Sequence, residues 1–123
     1  MGLKKSIVAV DDSRIMLTTL ENMLSEQYGF RGFAKAERGL NYIEQFPPSL
    51  IILDIDMPDM DGYTMLGRIK NNIALRNIPV IFLTSNNEKD YVVKAVKSGA
   101  DDYVVKPIDK GILISKIESL LSR

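Results

Sequence analysis

Short, unbroken runs of apolar and β-branched residues recur along the chain, and they constrain its fold more than any other feature. The clearest are "SIVAV" at 6–10, "SLIILD" at 49–54, "IPVIFLT" at 78–84 and "DYVVK" at 102–106. Because apolar and polar residues do not alternate in them, these runs are typical of parallel strands that are buried on both faces. A weaker run, "GFRGFAKA" at 29–36, contains arginine and lysine and predicts an edge strand.

A helical pattern of apolar residues follows each predicted strand. The apolar positions of these five patterns are Ile15, Leu17, Leu20, Met23 and Leu24; Leu40 and Ile43; Met65, Leu66 and Ile69; Val92, Val93 and Val96; and Leu113, Ile117, Leu120 and Leu121. Such spacings place apolar side chains on one face of a helix. Because crossovers between parallel strands are right-handed, the alternation predicts an α/β fold, a doubly wound five-stranded parallel sheet with helices on both faces.

The length and composition predict one globular domain over residues 1–123. With 123 residues, 46% of them apolar, the chain can bury a sizeable core. The N-terminus "MGLKKSIVAVDD" has too short an apolar stretch for a signal peptide or a membrane span. We therefore expect a soluble cytoplasmic protein that does not bind a membrane.

Charge and residue usage exclude several classes of function. Sixteen basic residues balance sixteen acidic ones, so the total charge does not favour binding to nucleic acid. The absence of cysteine and histidine excludes a disulfide framework, the usual zinc sites and a histidine-based catalytic triad.

Polar residues stand at the carboxyl ends of four predicted strands, where open α/β sheets bind their ligands. Asp11 and Asp12 end the first run and Asp54 ends the third, while Thr84 and Lys106 end the fourth and fifth. If the strand order is 2-1-3-4-5, the first and third strands are neighbours, and the three aspartates meet at the edge of the sheet.

Three carboxylates within about 5 Å repel one another by several kcal/mol, so they either share protons or hold a cation. Carboxylate oxygens are suited to a hard ion such as Mg²⁺, which also accepts phosphate oxygens as ligands. Lys106 and Thr84 could contact a phosphoryl group carried by Asp54. An aspartate nucleophile gives all five residues a common role.

Each of these residues also has a purely structural interpretation. The pair "DD" at 11–12 can cap a helix, Thr84 can be a strand-end hydroxyl, and Lys106 can be a solvated charge. Tyr103 can belong to the core or its rim. Three residues after Asp54 are expected to form a polar turn and cap the third helix: Asp59, Asp61 and Gly62. The joint placement at consecutive strand ends is what favours a functional site.

Four motifs in order, "VDDS", "LDIDMPDMDG", "FLTS" and "GADDYVVKP", make residues 5–122 resemble the receiver domain of two-component response regulators, including the single-domain chemotaxis type. The resemblance implies a flavodoxin-like (βα)5 fold with strand order 2-1-3-4-5. It also implies a phosphorylation-activated signalling switch of a phosphorelay. Such a switch is not an enzyme in the usual sense, since it catalyses only its own phosphorylation and dephosphorylation.

The resemblance assigns roles to the acidic residues. Asp54 would be the phosphoacceptor. Asp12 and Asp54 would bind Mg²⁺ through their side chains, the backbone carbonyl of Asp56 would be a further ligand, and Asp11 would act through water. Asp56 and Asn86 occupy positions where family members differ and where the lifetime of the phosphorylated state is set.

The resemblance also assigns a role to three residues near the last strand. Thr84 and Lys106 would hold the phosphoryl oxygens, and Tyr103 would be the switch aromatic that turns inward when Thr84 moves toward the phosphate. The Lys106–Pro107 bond is usually cis in the family, and a cis proline is plausible in a tight loop.

Partners follow from the same resemblance. A sensor histidine kinase or a His-phosphotransfer protein would donate the phosphoryl group. A downstream protein or a second copy would bind the face of the fourth helix, fifth strand and fifth helix. The charged and aromatic residues expected there are Lys94, Lys97, Lys110, Lys116, Tyr91 and Asp109. Nucleic-acid binding within this chain is not expected.

Three other interpretations remain open at this stage. "DID" at 54–56 matches the nucleophile pair of haloacid dehalogenase-type phosphatases, but in those enzymes the nucleophile lies on the first strand. A flavodoxin-like flavin binder would need a phosphate cradle where Asp11 and Asp12 stand. A purely structural interaction module would show no Mg²⁺ dependence. The sequence leaves open whether the chain acts alone or comes from a longer protein.

Overall fold

Strands and helices alternate throughout the part of the chain that the structure describes. The computed structural model describes residues 4–85 and 89–123, without the side chains of Lys89 and Tyr91. The strands are β1 (Ser6–Val10), β2 (Gly29–Phe33), β3 (Leu50–Asp54), β4 (Val80–Thr84) and β5 (Asp102–Val105). The helices are α1 (Arg14–Leu24), α2 (Ala36–Gln45), α3 (Gly62–Lys70), α4 (Lys89–Lys97) and α5 (Lys110–Leu121).

The strands form one parallel sheet in the order β2-β1-β3-β4-β5, which confirms the predicted fold class and strand order. Several strands are shorter than the apolar runs suggested. The β2 strand ends at Phe33, because β1, its one neighbour in the sheet, ends at the paired residue Val10. The β4 strand begins after Pro79, which has no amide hydrogen to donate to a neighbouring strand.

The core lies on both faces of the sheet, since successive side chains of a strand point to opposite sides. On one face, Val8, Ile51 and Phe82 pack with buried residues of α2, α3 and α4. On the other face, Ile7 and Ile52 pack with buried residues of α1 and α5. This arrangement confirms the prediction of helices on both faces.

Three apolar residues of the predicted helical faces are exposed instead. Ile15 is 82% exposed, since it lies in the first turn of α1, where no other element covers it. Val93 and Val96 are also exposed. Among the α4 side chains that the structure describes, the buried one is Ala95, whose small side chain joins the core below the helix. The spacing alone was therefore a poor guide to which side of α4 faces the sheet.

No helix in the described ranges combines the length and apolar character that crossing a bilayer requires.

Candidate functional site

Three aspartates meet at the carboxyl edge of the sheet, as the strand order predicted. Asp11 follows β1 and Asp54 ends β3, and these strands pair side by side with Val10 opposite Leu53. One carboxylate oxygen from each of Asp11, Asp12 and Asp54 lies within 4.8 Å of the other two. Asp11 and Asp54 are buried, whereas Asp12 is exposed. The site is therefore open to solvent on the side of Asp12.

Asp11 does not cap α1, which corrects the structural interpretation of the "DD" pair for that residue. Its Oδ1 atom accepts a hydrogen bond from the amide of Ser13 at 2.9 Å. Ser13 is the residue at the N-cap position of α1, and its hydroxyl accepts from the amide of Met16. Asp11 thus shapes the turn before the helix, and its second oxygen points into the site.

Lys106 brings a positive charge to the buried carboxylates. Its Nζ atom lies 3.0 Å from Asp11 Oδ2 and 3.5 Å from Asp54 Oδ1. Its backbone amide donates to the carbonyl of Thr84 at 2.8 Å, which fixes the residue just beyond β5. Burial lowers the pKa of Lys106, but contact with the carboxylates of Asp11 and Asp54 more than reverses this, so the pKa is raised overall.

Asp54 is the buried carboxylate at the centre of this group, with 4% of its surface exposed. Burial, helped by the charge of Asp11, raises the pKa of Asp54 from 3.8 to about 7. The charge of Lys106 and a hydrogen bond from the amide of Asp56 act in the opposite direction and lower it. That amide donates to Asp54 Oδ1 at 3.3 Å. The carboxylate is therefore ionisable near neutral pH and strongly dependent on its neighbours.

Thr84 and Asp56 complete the predicted set. Thr84 is buried at the end of β4, next to β3 in the sheet. The side chain of Asp56 is exposed, and its amide is the part that contacts Asp54. The six residues predicted for the metal and phosphoryl contacts thus lie at one edge of the sheet. Asn86 lies outside the described residues.

Gly62 closes the loop behind Asp54, at a position where no larger residue fits. Its amide donates to the carbonyl of Ile55 at 2.8 Å. A Cβ atom at this position would lie 2.6 Å from the backbone oxygen of Asp54 and 2.8 Å from the Cα of Ile55. Asp61 caps α3 by accepting from the amide of Thr64, as predicted. Gly62 was expected in the turn but is the first residue of α3, and its close contact with Asp54 was not foreseen.

The residues at this edge are a suitable donor set for Mg²⁺. Three carboxylates converge on one point, and Mg²⁺ prefers oxygen ligands. Burial, and after it the charge of Asp11, raises the pKa of Asp54, and a bound divalent cation would relieve the repulsion between the carboxylates. The exposed side of the cluster also leaves room for the water molecules that Mg²⁺ usually keeps.

Tyr103 lies on β5, partly buried against the core cluster that includes Phe82. The Nζ atom of Lys116 lies 4.7 Å from the centre of the Tyr103 ring. It also donates to Asp102 Oδ1 at 2.9 Å and to the carbonyl of Tyr103 at 2.7 Å. Lys116 therefore does not contribute the free positive charge expected for this face, because Asp102 neutralises it.

The remaining residues of this face are only partly as expected. Lys94 and Lys97 are exposed on α4, and Lys94 Nζ lies 4.5 Å from the ring centre of Tyr63 in α3. Asp109 caps α5 by accepting from the amide of Ile112 at 3.0 Å. The side chain of Tyr91 is not among those that the structure describes.

The Lys106–Pro107 peptide bond is cis, as expected. A model of the response regulator receiver domain family matches residues 7–118 of the chain. The chain belongs to this family. Receiver domains are signalling switches of two-component systems, they take phosphoryl groups from histidine kinases, and they bind Mg²⁺ at an acidic pocket.

Among related proteins, the receiver domain is similar to Transcriptional regulatory protein AfsQ1 of Streptomyces coelicolor. The two are 36% identical over 119 residues, which cover 96% of this chain and 52% of AfsQ1. Chemotaxis protein CheY1 of Helicobacter pylori is 30% identical over 119 residues, which cover 94% of this chain and 95% of CheY1. The chain thus spans about half of one relative and nearly all of the other.

Among solved structures, the receiver domain resembles that of a signal transduction histidine kinase from Syntrophus aciditrophicus. The TM-score is 0.87 with 34% identity, and the match covers 96% of this chain and 90% of the other. The relatives therefore include a transcriptional regulator, a chemotaxis protein and a histidine kinase. Because their names describe different outputs, the output of this receiver domain is a matter for proposal.

Proposed function

We propose that residues 1–123 form one receiver domain that accepts a phosphoryl group on Asp54. The observation that carries this proposal is the placement of a buried carboxylate between a lysine ammonium and two further carboxylates. Lys106 Nζ lies 3.5 Å from Asp54 Oδ1, and the oxygens of Asp11 and Asp12 lie within 4.8 Å. This arrangement supplies a nucleophile, a fixed cation and a metal-binding donor set in one place.

The phosphoryl donor would be the phosphohistidine of a sensor histidine kinase or of a His-phosphotransfer protein. A carboxylate oxygen of Asp54 attacks the phosphorus atom, and the bond between phosphorus and the donor's ring nitrogen breaks. The electron pair of that bond stays on the imidazole, which takes up a proton. No oxidant or other reactant is needed for this transfer.

Lys106 and Thr84 would then hold the transferred group. Lys106 stands close enough to Asp54 to form charge-assisted hydrogen bonds with phosphoryl oxygens. Thr84 ends the strand next to β3, so its side chain is on the same edge of the sheet. Asp12, Asp54 and the backbone carbonyl of Asp56 would hold Mg²⁺, with Asp11 acting through water. Bound Mg²⁺ supplies positive charge that offsets the carboxylates and the phosphoryl oxygens.

The signal would leave through the face formed by α4, β5 and α5. Phosphorylation can act at a distance only if some element has two arrangements. Tyr103 is suited to this role, because it lies on β5 next to β4 and is only partly buried. Its reorientation would change the surface around Lys116, with which its ring is in contact. A downstream protein or a second copy of the chain would bind this face.

Intact-mass measurement after incubation with acetyl phosphate tests the proposal. The wild type should gain one phosphoryl group when Mg²⁺ is present and much less when EDTA removes it. Asp54→Asn should gain none, while Glu44→Gln, an exposed position on α2, should behave as the wild type. A wild type that gains no phosphoryl group with Mg²⁺ present would show that the fold serves binding alone.

A further inference from the structure

The helix α2 begins without an N-terminal cap of its own. Lys35 stands at the N-cap position, and its side chain makes no capping hydrogen bond. The first amides of a helix lack partners inside the helix and need acceptors from elsewhere. The amide of Ala36 finds one in Asp59, whose Oδ2 atom accepts from it at 2.9 Å. The cap of α2 is therefore supplied by the loop between β3 and α3.

That loop is the one that contacts the proposed phosphoacceptor. It starts at the end of β3, and the amide of Asp56 donates to Asp54 Oδ1 at 3.3 Å. The hydrogen bond from the Gly62 amide to the Ile55 carbonyl closes the loop at its other end. Between these points Met57 is buried in the core. Asp59 thus fixes the middle of a short loop whose first residues touch the carboxylate of Asp54.

The two remaining aspartates of the loop have different roles. Asp61 caps α3 through the amide of Thr64 at 2.8 Å, and Asp56 is exposed. The carboxylate of Asp59 lies at the N-terminus of α2, where the helix dipole favours negative charge. The nearby ion pair of Glu37 with Arg68 joins α2 to α3 rather than to this loop, and it is exposed on both sides. The bond from Ala36 to Asp59 is accordingly the main polar link described between this loop and α2.

We infer that Asp59 is a positioning residue for the phosphoacceptor. By accepting from the Ala36 amide it holds the loop so that the Asp56 amide faces Asp54. The inference rests on the proposed function of Asp54 and adds a link to α2, a helix outside the α4–β5–α5 face. Because coupling between two sites is reciprocal, phosphorylation of Asp54 should also change the protection of the Ala36 amide.

The test compares Asp59→Ala with Asp59→Asn and Asp61→Ala. Amide hydrogen exchange and chemical shifts are measured by NMR at Ala36 and Asp56, and the initial rate of phosphorylation by acetyl phosphate with Mg²⁺ is measured by intact mass. Asp59→Ala should speed exchange at Ala36, shift the Asp56 amide and slow phosphorylation, each rate changing by roughly threefold to tenfold for one hydrogen bond. Asp59→Asn keeps a side-chain oxygen and should restore all three values. Asp61→Ala should leave the Ala36 amide unchanged.

Two results would overturn the inference. One is a wild-type phosphorylation rate and an unshifted Asp56 amide in Asp59→Ala. The other is a slow Asp59→Asn, which would show that charge rather than the hydrogen bond matters. If the wild type itself gains no phosphoryl group, the proposed function fails instead. In that case the chemical shift of the Asp56 amide in Asp59→Ala still shows whether the bond between Asp59 and α2 positions the loop.

Discussion

The ammonium group of Lys106 lies 3.0 Å from the buried carboxylate of Asp11, closer than the 3.5 Å that separates it from Asp54. Before phosphorylation, therefore, Lys106 mainly compensates the charge of Asp11, which is not the proposed phosphoacceptor. Its distance from Asp54 still allows it to contact a group added there. The same cation thus serves the stability of the resting site and the proposed transfer.

Removing the charge of Lys106 should raise the pKa of Asp54 above about 7, since Lys106 is the charge that lowers it. Lys106→Met tests this, because methionine keeps most of the side-chain length. A carboxyl ¹³C NMR titration of metal-free protein measures the pKa directly. Lys110→Met, at an exposed position on α5, is the control and should leave the titration of Asp54 as in the wild type. A lower pKa in Lys106→Met would contradict the described electrostatics.

Stability of the metal-free protein should fall as pH rises from about 4 through about 7. Asp54 has a pKa of about 7 when folded against 3.8 as its ordinary value, so the folded state binds the proton more tightly in this window. The unfavourable charge is absent below the window and fully present above it. Asp54→Asn should therefore be more stable than the wild type at pH 8, by a few kcal/mol, and similar to it near pH 4.

Urea unfolding in EDTA at several pH values checks this prediction. Glu44→Gln is the control, since this exposed carboxylate lies on α2, away from the cluster, and should change stability little at any pH. A wild type whose stability rises between pH 5 and pH 8 in step with Asp54→Asn would be inconsistent with a strained carboxylate.

Mg²⁺ should stabilise the wild type against heat, because it would relieve repulsion among Asp11, Asp12 and Asp54 in the folded state only. The melting temperature should rise with Mg²⁺ concentration, and the rise should be smaller in Asp12→Ala. Sodium chloride at matched ionic strength separates binding from screening. Equal increments in both proteins would argue against a metal site at these residues.

Gly62→Ala should destabilise the protein and Gly67→Ala should not, although both lie in α3. A Cβ at Gly62 would meet the Asp54 backbone at 2.6 Å, whereas a Cβ at Gly67 meets nothing within 4 Å. We expect a loss of roughly 1–3 kcal/mol for Gly62→Ala. Gly67→Ala should gain up to about 1 kcal/mol, since alanine favours a helix. Urea unfolding of both variants measures the difference, and similar values for the two would count against the close contact.

Tyr103→Ala should weaken the response of α5 to phosphorylation without preventing the phosphorylation itself. The ring of Tyr103 packs against the core and against Lys116 of α5, so Tyr103→Ala removes the ring's contact with that helix. The bonds from Lys116 to Asp102 and to the Tyr103 carbonyl remain. Amide chemical shifts of α5 with and without acetyl phosphate and Mg²⁺ report the response. Tyr42→Phe serves as the control, because Tyr42 lies on α2 and contacts Phe33 of the edge strand β2, away from α5. A full α5 response in Tyr103→Ala would remove this residue from the proposed pathway.

The family resemblance implied the strand order, and with that order the aspartate cluster could be predicted from where the strands end. Asp11 and Asp54 follow apolar runs directly, and parallel strands bring their ends to one edge. The exposure of Ile15 and the pairing of Lys116 could not be foreseen, since each depends on packing between distant segments. The cap that Asp59 gives to Ala36 joins residues far apart in the chain, so no local pattern indicated it.

Chemical localisation of the phosphoryl group tests the central claim most directly. After incubation with acetyl phosphate and Mg²⁺, borohydride reduces an aspartyl phosphate to homoserine, and peptide mass spectrometry then identifies the altered residue. We predict homoserine at position 54 in the wild type, with none at Asp11, Asp12 or Asp56. Homoserine at one of those three residues, with Asp54 intact, would contradict the assignment of the phosphoacceptor.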